Sequence, residues 1–211
     1  MALPSTAVSS LDDIPTSVLV LRHGESEWNV AGRWQGTEDP ALTERGIRQA
    51  VAAGDALGTF DAVWASTLQR ASLTADIIAE QLGVGPVNLD ERLVEVGFGP
   101  WQGLTRSEIE QGWPGFMAEL RRPEGAESHE AVVDRITAVI RDIAAASPGG
   151  EVLVVAHGGV MRALRRSLGV SDHDRHIANL GGARFLVYAG GRIVAAELVS
   201  VIDSATSLDV L

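Results

Sequence analysis

The sequence predicts an α/β fold, a three-layer α/β/α sandwich with a mostly parallel central sheet and a small helical cap. Three apolar runs support this prediction, at residues 18–21, 62–66 and 151–156. None of them alternates apolar with polar residues, which is typical of strands buried on both faces in parallel sheets. Segments of helical period separate the runs, as in chains that alternate strands with helices.

The first two helices are predicted by their start signals and apolar stripes. Thr43 offers an N-cap for a helix with Ile47, Ala50, Val51 and Leu57 on one face. Ser66 and Gln69 form a capping-box pattern at the start of the next helix. The apolar stripe of that helix is Leu68, Ala71, Ala75, Ile78 and Leu82.

The second half of the chain predicts a cap, a further strand and a hairpin. A short strand near residues 87–89 precedes a turn-rich segment at 90–103. Residues 104–120 and 128–146 have the pattern of two helices that could cover the crevice. Residues 184–188 and 192–201, joined around Gly190-Gly191, predict a terminal β-hairpin.

Length and composition fit one domain. The 211 residues allow a sizeable core at 17–211, preceded by an N-terminal tail at 1–16 that we expect to be disordered. The tail lacks the basic residues and apolar core of a signal peptide, and no run is long enough to cross a bilayer. The absence of cysteine excludes thiol catalysis and Cys-zinc sites, and it favours a cytoplasmic location.

The formal net charge of −11 constrains the partners. It argues against binding to nucleic acid or to anionic membranes. The expected partner is a small substrate, and a homodimer stays open. An anionic substrate would need a locally basic pocket.

Two predicted strands end in the same way. Residue 21 is followed by Arg22-His23-Gly24, and residue 156 by His157-Gly158-Gly159. Because ligands bind beyond the carboxyl ends of strands in open α/β sheets, we expect both imidazoles to face one crevice. The amides after His157 can then point at an anion from a helix N-terminus. One strand-end histidine is more often structural, but the repetition favours function.

Arg70 and Glu95 are further candidates. Arg70 falls at the start of a predicted helix, where a cation opposes the helix dipole unless an anion compensates it. The alternative is a solvated surface arginine. Glu95 lies among apolar residues, which favour the protonated carboxyl that a general acid needs. The alternative is a loop carboxylate paired with an arginine.

Several motifs in a fixed order carry a family resemblance. They are Leu21-Arg-His-Gly-Glu-Ser-Glu-Trp-Asn29, Arg33-Trp-Gln-Gly36, Leu42-Thr-Glu-Arg-Gly-Ile-Arg-Gln-Ala50, Ser66-Thr-Leu-Gln-Arg-Ala-Ser-Leu-Thr-Ala75, Glu95 ahead of Trp101-Gln-Gly103, and Ala156-His-Gly158. This ordered set resembles the histidine phosphatase superfamily, in its phosphoglycerate-mutase-like branch, over most of the chain.

The resemblance implies a division of labour at the site. His23 would be the nucleophile that forms a phosphohistidine, and Glu95 the proton donor. Arg22, Arg70 and His157 would hold the phosphoryl oxygens. The phosphate pocket would also include Gly24, Asn29, Gln35, Gly36, Gly158 and Gly159, with loop scaffolding as the alternative for Gln35. Imidazole can attack phosphorus and guanidinium groups can bind the oxygens, so no metal ion or cofactor is expected.

The expected activity is that of a metal-independent phosphomonoesterase acting on a small phosphorylated metabolite. The alternatives are a phosphoglycerate mutase using the same site and a catalytically silent regulatory module on the same fold. Two features favour a phosphatase: the segment between Glu95 and His157 is short for a cofactor-dependent mutase, and the cap mixes arginines with glutamates. The arginines are Arg106, Arg121 and Arg122, and the glutamates are Glu108, Glu110, Glu119, Glu124 and Glu127.

Two groups of residues stay open between a functional and a structural role. The tryptophans could line the crevice or cap the core; they are Trp28, Trp34, Trp101 and Trp113. His173 and His176, beside Asp172 and Asp174, have a spacing that could bind a metal ion. Because no further ligand cluster lies near them in the sequence, we expect a surface turn instead.

Overall fold

A six-stranded sheet lies at the centre of the computed structural model, which describes residues 14–170 and 177–202. The strands are β1 (Thr16–Arg22), β2 (Ala62–Ser66), β3 (Asn88–Asp90), β4 (Glu151–Ala156), β5 (Gly181–Val187) and β6 (Ile193–Ser200). Their order across the sheet is β3-β2-β4-β1-β5-β6. All pairs from β3 to β1 are parallel, and β5 runs antiparallel to both of its neighbours. The predicted mostly parallel sheet is confirmed.

Helices cover both faces of this sheet. They are α1 (Glu27–Val30), α2 (Glu44–Ala56), α3 (Gln69–Leu82), α4 (Arg106–Gly112), α5 (His129–Ala146) and α6 (Gly158–Ser167). Leu19 and Leu21 of β1 pack with α2 and α3 on one face, whereas Val18 and Val20 pack with α5 and α6 on the other. Successive side chains of a strand point to opposite faces, so a strand buried on both sides must be apolar throughout. The three layers are therefore confirmed.

The start of β1 overlaps the end of the predicted tail. Thr16 belongs to the strand, and its hydroxyl donates to the carbonyl oxygens of Ala144 and Ser147 at 3.2 and 3.0 Å. Residues 1–13 lie outside the described residues. Within the described part of the chain, no helix has the length and apolar character needed to cross a membrane.

Helix α2 begins as predicted, but its buried face is shifted from the predicted stripe, of which Ala50 is buried and Leu57 packs against the core. Thr43 caps it by accepting the Gly46 N–H at 3.0 Å. Ile47 and Val51 of the predicted stripe are 40% and 38% exposed. The buried residues are Gly46, Gln49, Ala50, Ala53 and Gly54. A glycine is required at position 46 because the loop after β1 passes close to α2. A Cβ on Gly46 would lie 2.1 Å from the Glu25 carbonyl oxygen.

Two other helix predictions need correction. Helix α3 has Leu68 at its N-cap without a side-chain bond, so Ser66 is not the capping residue. The helix predicted at 104–120 ends at Gly112. Pro114 disfavours a helical conformation at the residue before it, and Gly115 adopts a left-handed φ of 79°. The helix predicted at 128–146 is confirmed as α5, with Ser128 as its N-cap, and β5 and β6 confirm the hairpin.

Candidate active site

His23 follows β1 at the carboxyl edge of the sheet and is 3% exposed. Its Nδ1 lies 2.6 Å from the carbonyl oxygen of Gly24. A carbonyl oxygen only accepts, so Nδ1 carries the proton and Nε2 presents a lone pair. The Nε of Arg70 donates to that Nε2 at 3.3 Å. The ring is therefore held in the tautomer that a nucleophilic Nε2 requires.

His157 lies beside His23 because β1 and β4 are neighbouring parallel strands in a register that pairs Arg22 with Ala156. The ring centroids of the two histidines are 5.2 Å apart. His157 is fully buried, and its Nε2 lies 2.9 Å from the Ser66 hydroxyl oxygen. Its Nδ1 has no hydrogen-bond partner among the described residues. An unpaired buried polar atom of this kind is costly unless a ligand satisfies it.

Both imidazoles are neutral at neutral pH. Burial, followed by the positive charges of Arg70 and Arg22, holds the pKa of His23 well below its usual value near 6.5. Burial, followed by the charge of Arg70, lowers the pKa of His157 in the same direction. A neutral His23 retains a lone pair, with which an imidazole can attack an electrophile.

Arg70 is 1% exposed, which rules out the alternative of a solvated surface arginine. Its guanidinium donates to the carbonyl oxygens of Glu38 at 2.5 Å and Gly36 at 2.8 Å, and it lies 3.5 Å from the Asp39 carboxylate. Burial lowers the pKa of Arg70 to about 10, so the group stays charged at neutral pH. The guanidinium of Arg22 is held by a different segment, because it donates to the Ile177 carbonyl oxygen at 2.7 Å.

Glu95 lies at the N-terminus of α6 rather than in purely apolar surroundings. Its carboxylate accepts the backbone N–H groups of Gly159, Val160 and Val96 at 2.9, 3.1 and 2.8 Å. The Gly159 amide, expected to point at a phosphate, therefore binds Glu95 in this structure. The helix terminus positions the carboxylate because its first N–H groups have no partner within the helix.

A cavity of about 660 Å³, the catalytic cavity, opens beside His23. Eight of the predicted site residues line it: Arg22, His23, Asn29, Gln35, Gly36, Arg70, Glu95 and Gly158. His157, Gly24 and Gly159 do not line this cavity. Gly24 has a packing role instead, since a Cβ there would lie 2.6 Å from the Gly46 carbonyl oxygen. Gln35 has the scaffolding role considered for it, because it accepts the Ser26 hydroxyl at 2.9 Å, and its contact with phosphate stays a prediction.

The segment that precedes β5 supports the site and was missed in the sequence. The buried Asn179 amide donates to the His23 carbonyl oxygen at 2.8 Å and to Asn29 at 3.3 Å. Leu180, with a left-handed φ of 56°, donates its N–H to the Arg22 carbonyl oxygen. No local pattern identifies these residues, because their role depends on contacts with a distant part of the chain.

Trp34 and Trp101 line cavities, and no metal centre is found in the described residues. Trp34 lines the catalytic cavity, and Trp101, although only 3% exposed, lines a neighbouring cavity and packs edge-on against Trp34 with ring centroids 5.4 Å apart. Residues 14–170 and 177–202 contain no group of three or more His, Cys, Asp or Glu side chains that could hold a metal ion. His173 and His176 lie outside the described residues.

Comparison with known proteins agrees with this geometry. Residues 18–197 match the sequence profile of the histidine phosphatase superfamily (branch 1). The chain belongs to this superfamily. As the sequence predicts for a histidine phosphatase, it is a phosphoric monoester hydrolase that acts on a small phosphorylated metabolite.

Several relatives of this histidine phosphatase carry a named activity. A glucosyl-3-phosphoglycerate phosphatase from Mycobacterium tuberculosis is 37% identical over 166 residues, covering 72% of this chain and 74% of the relative. The metal-independent phosphoserine phosphatase of Arabidopsis thaliana is 38% identical over 159 residues, with coverages of 71% and 67%. A 2,3-bisphosphoglycerate-dependent phosphoglycerate mutase from Parvibaculum lavamentivorans is 30% identical over 190 residues, with coverages of 83% and 90%.

A solved structure shows the same fold. The mycobacterial glucosyl-3-phosphoglycerate phosphatase in complex with VO3 superposes with a TM-score of 0.78 at 30% identity. The match covers 86% of this chain and 98% of the other.

The two buried histidines predict a pH-dependent stability. Unfolded histidines titrate near pH 6.5, and the folded pKa values of His23 and His157 are lower. Below pH 6.5 the unfolded chain therefore binds more protons, so the free energy of unfolding should fall as the pH falls, by up to about 1.4 kcal/mol per pH unit for each histidine. Urea denaturation between pH 7.5 and 5.5 measures this slope. His157→Gln should reduce the slope, and an unchanged slope would contradict the assignment.

Proposed function

We propose that the chain hydrolyses phosphomonoesters through a phosphohistidine at His23, without a metal ion or cofactor. The observation that carries this proposal is the His23 ring. Its Nδ1 proton is held by the Gly24 carbonyl, and its Nε2 lies next to the buried guanidinium of Arg70 in the catalytic cavity. A fixed lone pair beside a fixed cation is suited to attack on an anionic phosphoryl group.

In the first half-reaction, the His23 Nε2–phosphorus bond forms while the ester P–O bond breaks. Arg70, Arg22 and His157 bind the phosphoryl oxygens, where charge is spread in the transition state. Glu95 passes a proton to the leaving alkoxide. In the second half-reaction, Glu95 takes a proton from water, and the resulting attack on phosphorus releases inorganic phosphate and restores His23.

His23→Ala should abolish both turnover of para-nitrophenyl phosphate and formation of a phosphoenzyme, because the attacking nitrogen is removed. The intermediate is measured by mass spectrometry after an alkaline quench, since phosphohistidine is labile in acid and stable in base. Arg48→Gln, on the exposed face of α2 and outside both cavities of this region, is the control and should keep the label. A phosphoenzyme that persists in His23→Ala would refute the assignment of His23 as the nucleophile.

Glu95→Gln should slow hydrolysis of glycerol 3-phosphate by about 100-fold or more, in the range for lost proton transfer. Hydrolysis of para-nitrophenyl phosphate should slow less, because its leaving group needs little protonation. The comparison of two substrates on one variant controls for disturbance of the α6 N-terminus, which would slow both. An equal loss on both substrates would mean that Glu95 only positions the loop.

A second cavity next to the first favours substrates with a further anionic group. This arginine cavity of about 460 Å³ shares Trp34, Phe98, Arg106 and Arg162 with the catalytic cavity. The basic side chains that line it are Arg106, Arg121, Arg122, His129, Arg162 and Arg166.

The glutamates expected to neutralise the cap do not line the arginine cavity. Glu108 pairs with Arg33, Glu119 with Arg121, and Glu127 with Arg135. Glu110 accepts the Gly115 N–H. Glu119 thus pairs with Arg121, which lines the cavity, whereas the partners of Glu108 and Glu127 do not line it. How firmly a second anionic group is held stays a prediction. We infer that the substrate carries a carboxylate or similar group beside its phosphate.

Arg166→Gln should raise the KM for 3-phosphoglycerate about tenfold, as expected for loss of one charge-assisted hydrogen bond worth about 1.4 kcal/mol. The KM for glycerol 3-phosphate, which lacks the carboxylate, should change much less. Arg48→Gln on the exposed face of α2 is the control. Equal changes in the KM for both substrates would show that the arginine cavity does not recognise the carboxylate.

The phosphatase activity is distinguished from a mutase activity by the fate of the phosphohistidine. Phosphatases are among the relatives in both sequence and structure, although phosphoglycerate mutases also occur. We expect water to attack faster than a rebound product, so inorganic phosphate should appear without a bisphosphate primer. Phosphorus NMR of 3-phosphoglycerate with and without 2,3-bisphosphoglycerate measures both products. Primer-dependent formation of 2-phosphoglycerate that outruns phosphate release would establish the mutase.

We also propose a cytoplasmic location, which the absence of cysteine supports.

A further inference from the structure

Ser66, the last residue of β2, hydrogen-bonds to a ring of the active site. Its hydroxyl oxygen lies 2.9 Å from Nε2 of His157, and both residues are fully buried. The contact arises because β2 and β4 are parallel neighbours that pair Ala65 with Val155, so their carboxyl ends meet. Ser66 therefore contacts His157 within the protein interior, where water does not compete.

The hydrogen-bonding capacity of the two groups restricts their roles. A hydroxyl has one proton to donate and two lone pairs to accept with, and Ser66 accepts the Leu68 N–H at 3.3 Å. Its proton and its second lone pair remain, so the contact with His157 has two possible directions. Burial keeps the pKa of His157 low, so the ring is neutral and has one protonated nitrogen. With Nε2 facing Ser66, Nδ1 is the nitrogen left for a ligand, and it has no partner among the described residues.

We propose that Ser66 is a positioning residue for phosphoryl transfer: its hydroxyl donates to Nε2 of His157 and so keeps the ring proton on Nδ1. Nδ1–H then donates to a phosphoryl oxygen of the substrate. The opposite tautomer would present a lone pair to an anionic oxygen, which is repulsive. The inference rests on the proposed function, in which His157 binds the phosphoryl group.

The hydroxyl is not required to start the neighbouring helix. Helix α3 begins at Gln69 with Leu68 as its N-cap, and the cap has no side-chain hydrogen bond. The bond from the Leu68 N–H to Ser66 is long at 3.3 Å, whereas the contact with His157 is short. The Ser66 hydroxyl therefore makes its shorter hydrogen bond with His157 and its longer one with the turn before α3.

The test compares Ser66→Ala with Ser66→Thr, which restores a hydroxyl, and with the control Ser72→Ala on α3. We expect Ser66→Ala to weaken inhibition by vanadate and to lower kcat/KM for para-nitrophenyl phosphate, each by about 10- to 100-fold. Loss of a residue that orients a metal-ligating histidine through a hydrogen bond has an effect of this size. Ser66→Thr should recover most of this loss, and Ser72→Ala should show none. Wild-type vanadate affinity and kcat/KM in a folded Ser66→Ala would overturn the inference.

A second measurement uses the wild-type protein and does not depend on how the variants fold. Two-bond proton–nitrogen NMR correlations show which ring nitrogen is protonated, and the His157 signals are assigned by comparison with His157→Gln. We expect the proton on Nδ1 in the wild type and a shift of population toward Nε2 in Ser66→Ala. A wild-type ring protonated on Nε2 would overturn the inference.

These readouts separate the inference from the proposed function. A wild-type protein that hydrolyses no phosphomonoester and forms no phosphohistidine would refute the proposed function. Loss of inorganic-phosphate binding in Ser66→Ala, with an Nδ1–H tautomer in the wild type, would still support the positioning role. Full turnover in Ser66→Ala would refute the positioning role and leave the function intact.

Discussion

The parallel pairing of β1 with β4 is the constraint on which the rest of the site depends. Both strands are buried on both faces, and their register places Arg22 opposite Ala156. The residue that follows each strand is a histidine, so one ladder of backbone hydrogen bonds sets the distance between the two rings. A shift of register by one residue would move every side chain of a strand to the other face and separate the histidines.

Burial of this edge determines the chemistry of the side chains there. Two imidazoles lose water and stay neutral, while Arg70 remains charged because backbone carbonyls and Asp39 surround its guanidinium. The protein carries a net charge of −11, yet eight arginines line the catalytic and arginine cavities. An anionic substrate therefore meets a locally positive surface on an acidic molecule.

The supporting contacts come from parts of the chain that are far apart. Asn179 and Leu180 bind the backbone of His23 and Arg22, and the first N–H groups of α6 bind Glu95. The close approach of Gly24 to Gly46 locks the loop after β1 against α2. These contacts hold the candidate site residues in place without a ligand, which is the preorganisation that electrostatic catalysis requires.

The sequence by itself determined the fold class, the four parallel strands, the hairpin, the family and the meeting of His23 with His157 beyond the ends of β1 and β4. These properties follow from local patterns, namely continuous apolar runs, helix start signals and motifs adjacent in the chain. Tertiary structure alone decided which face α2 buries, that Ser66 contacts His157 instead of capping α3, that Gly159 binds Glu95, and which arginines the cap glutamates pair with. Each of these depends on contacts between distant segments, where residue size and hydrogen-bond geometry select the partner and sequence spacing carries no information.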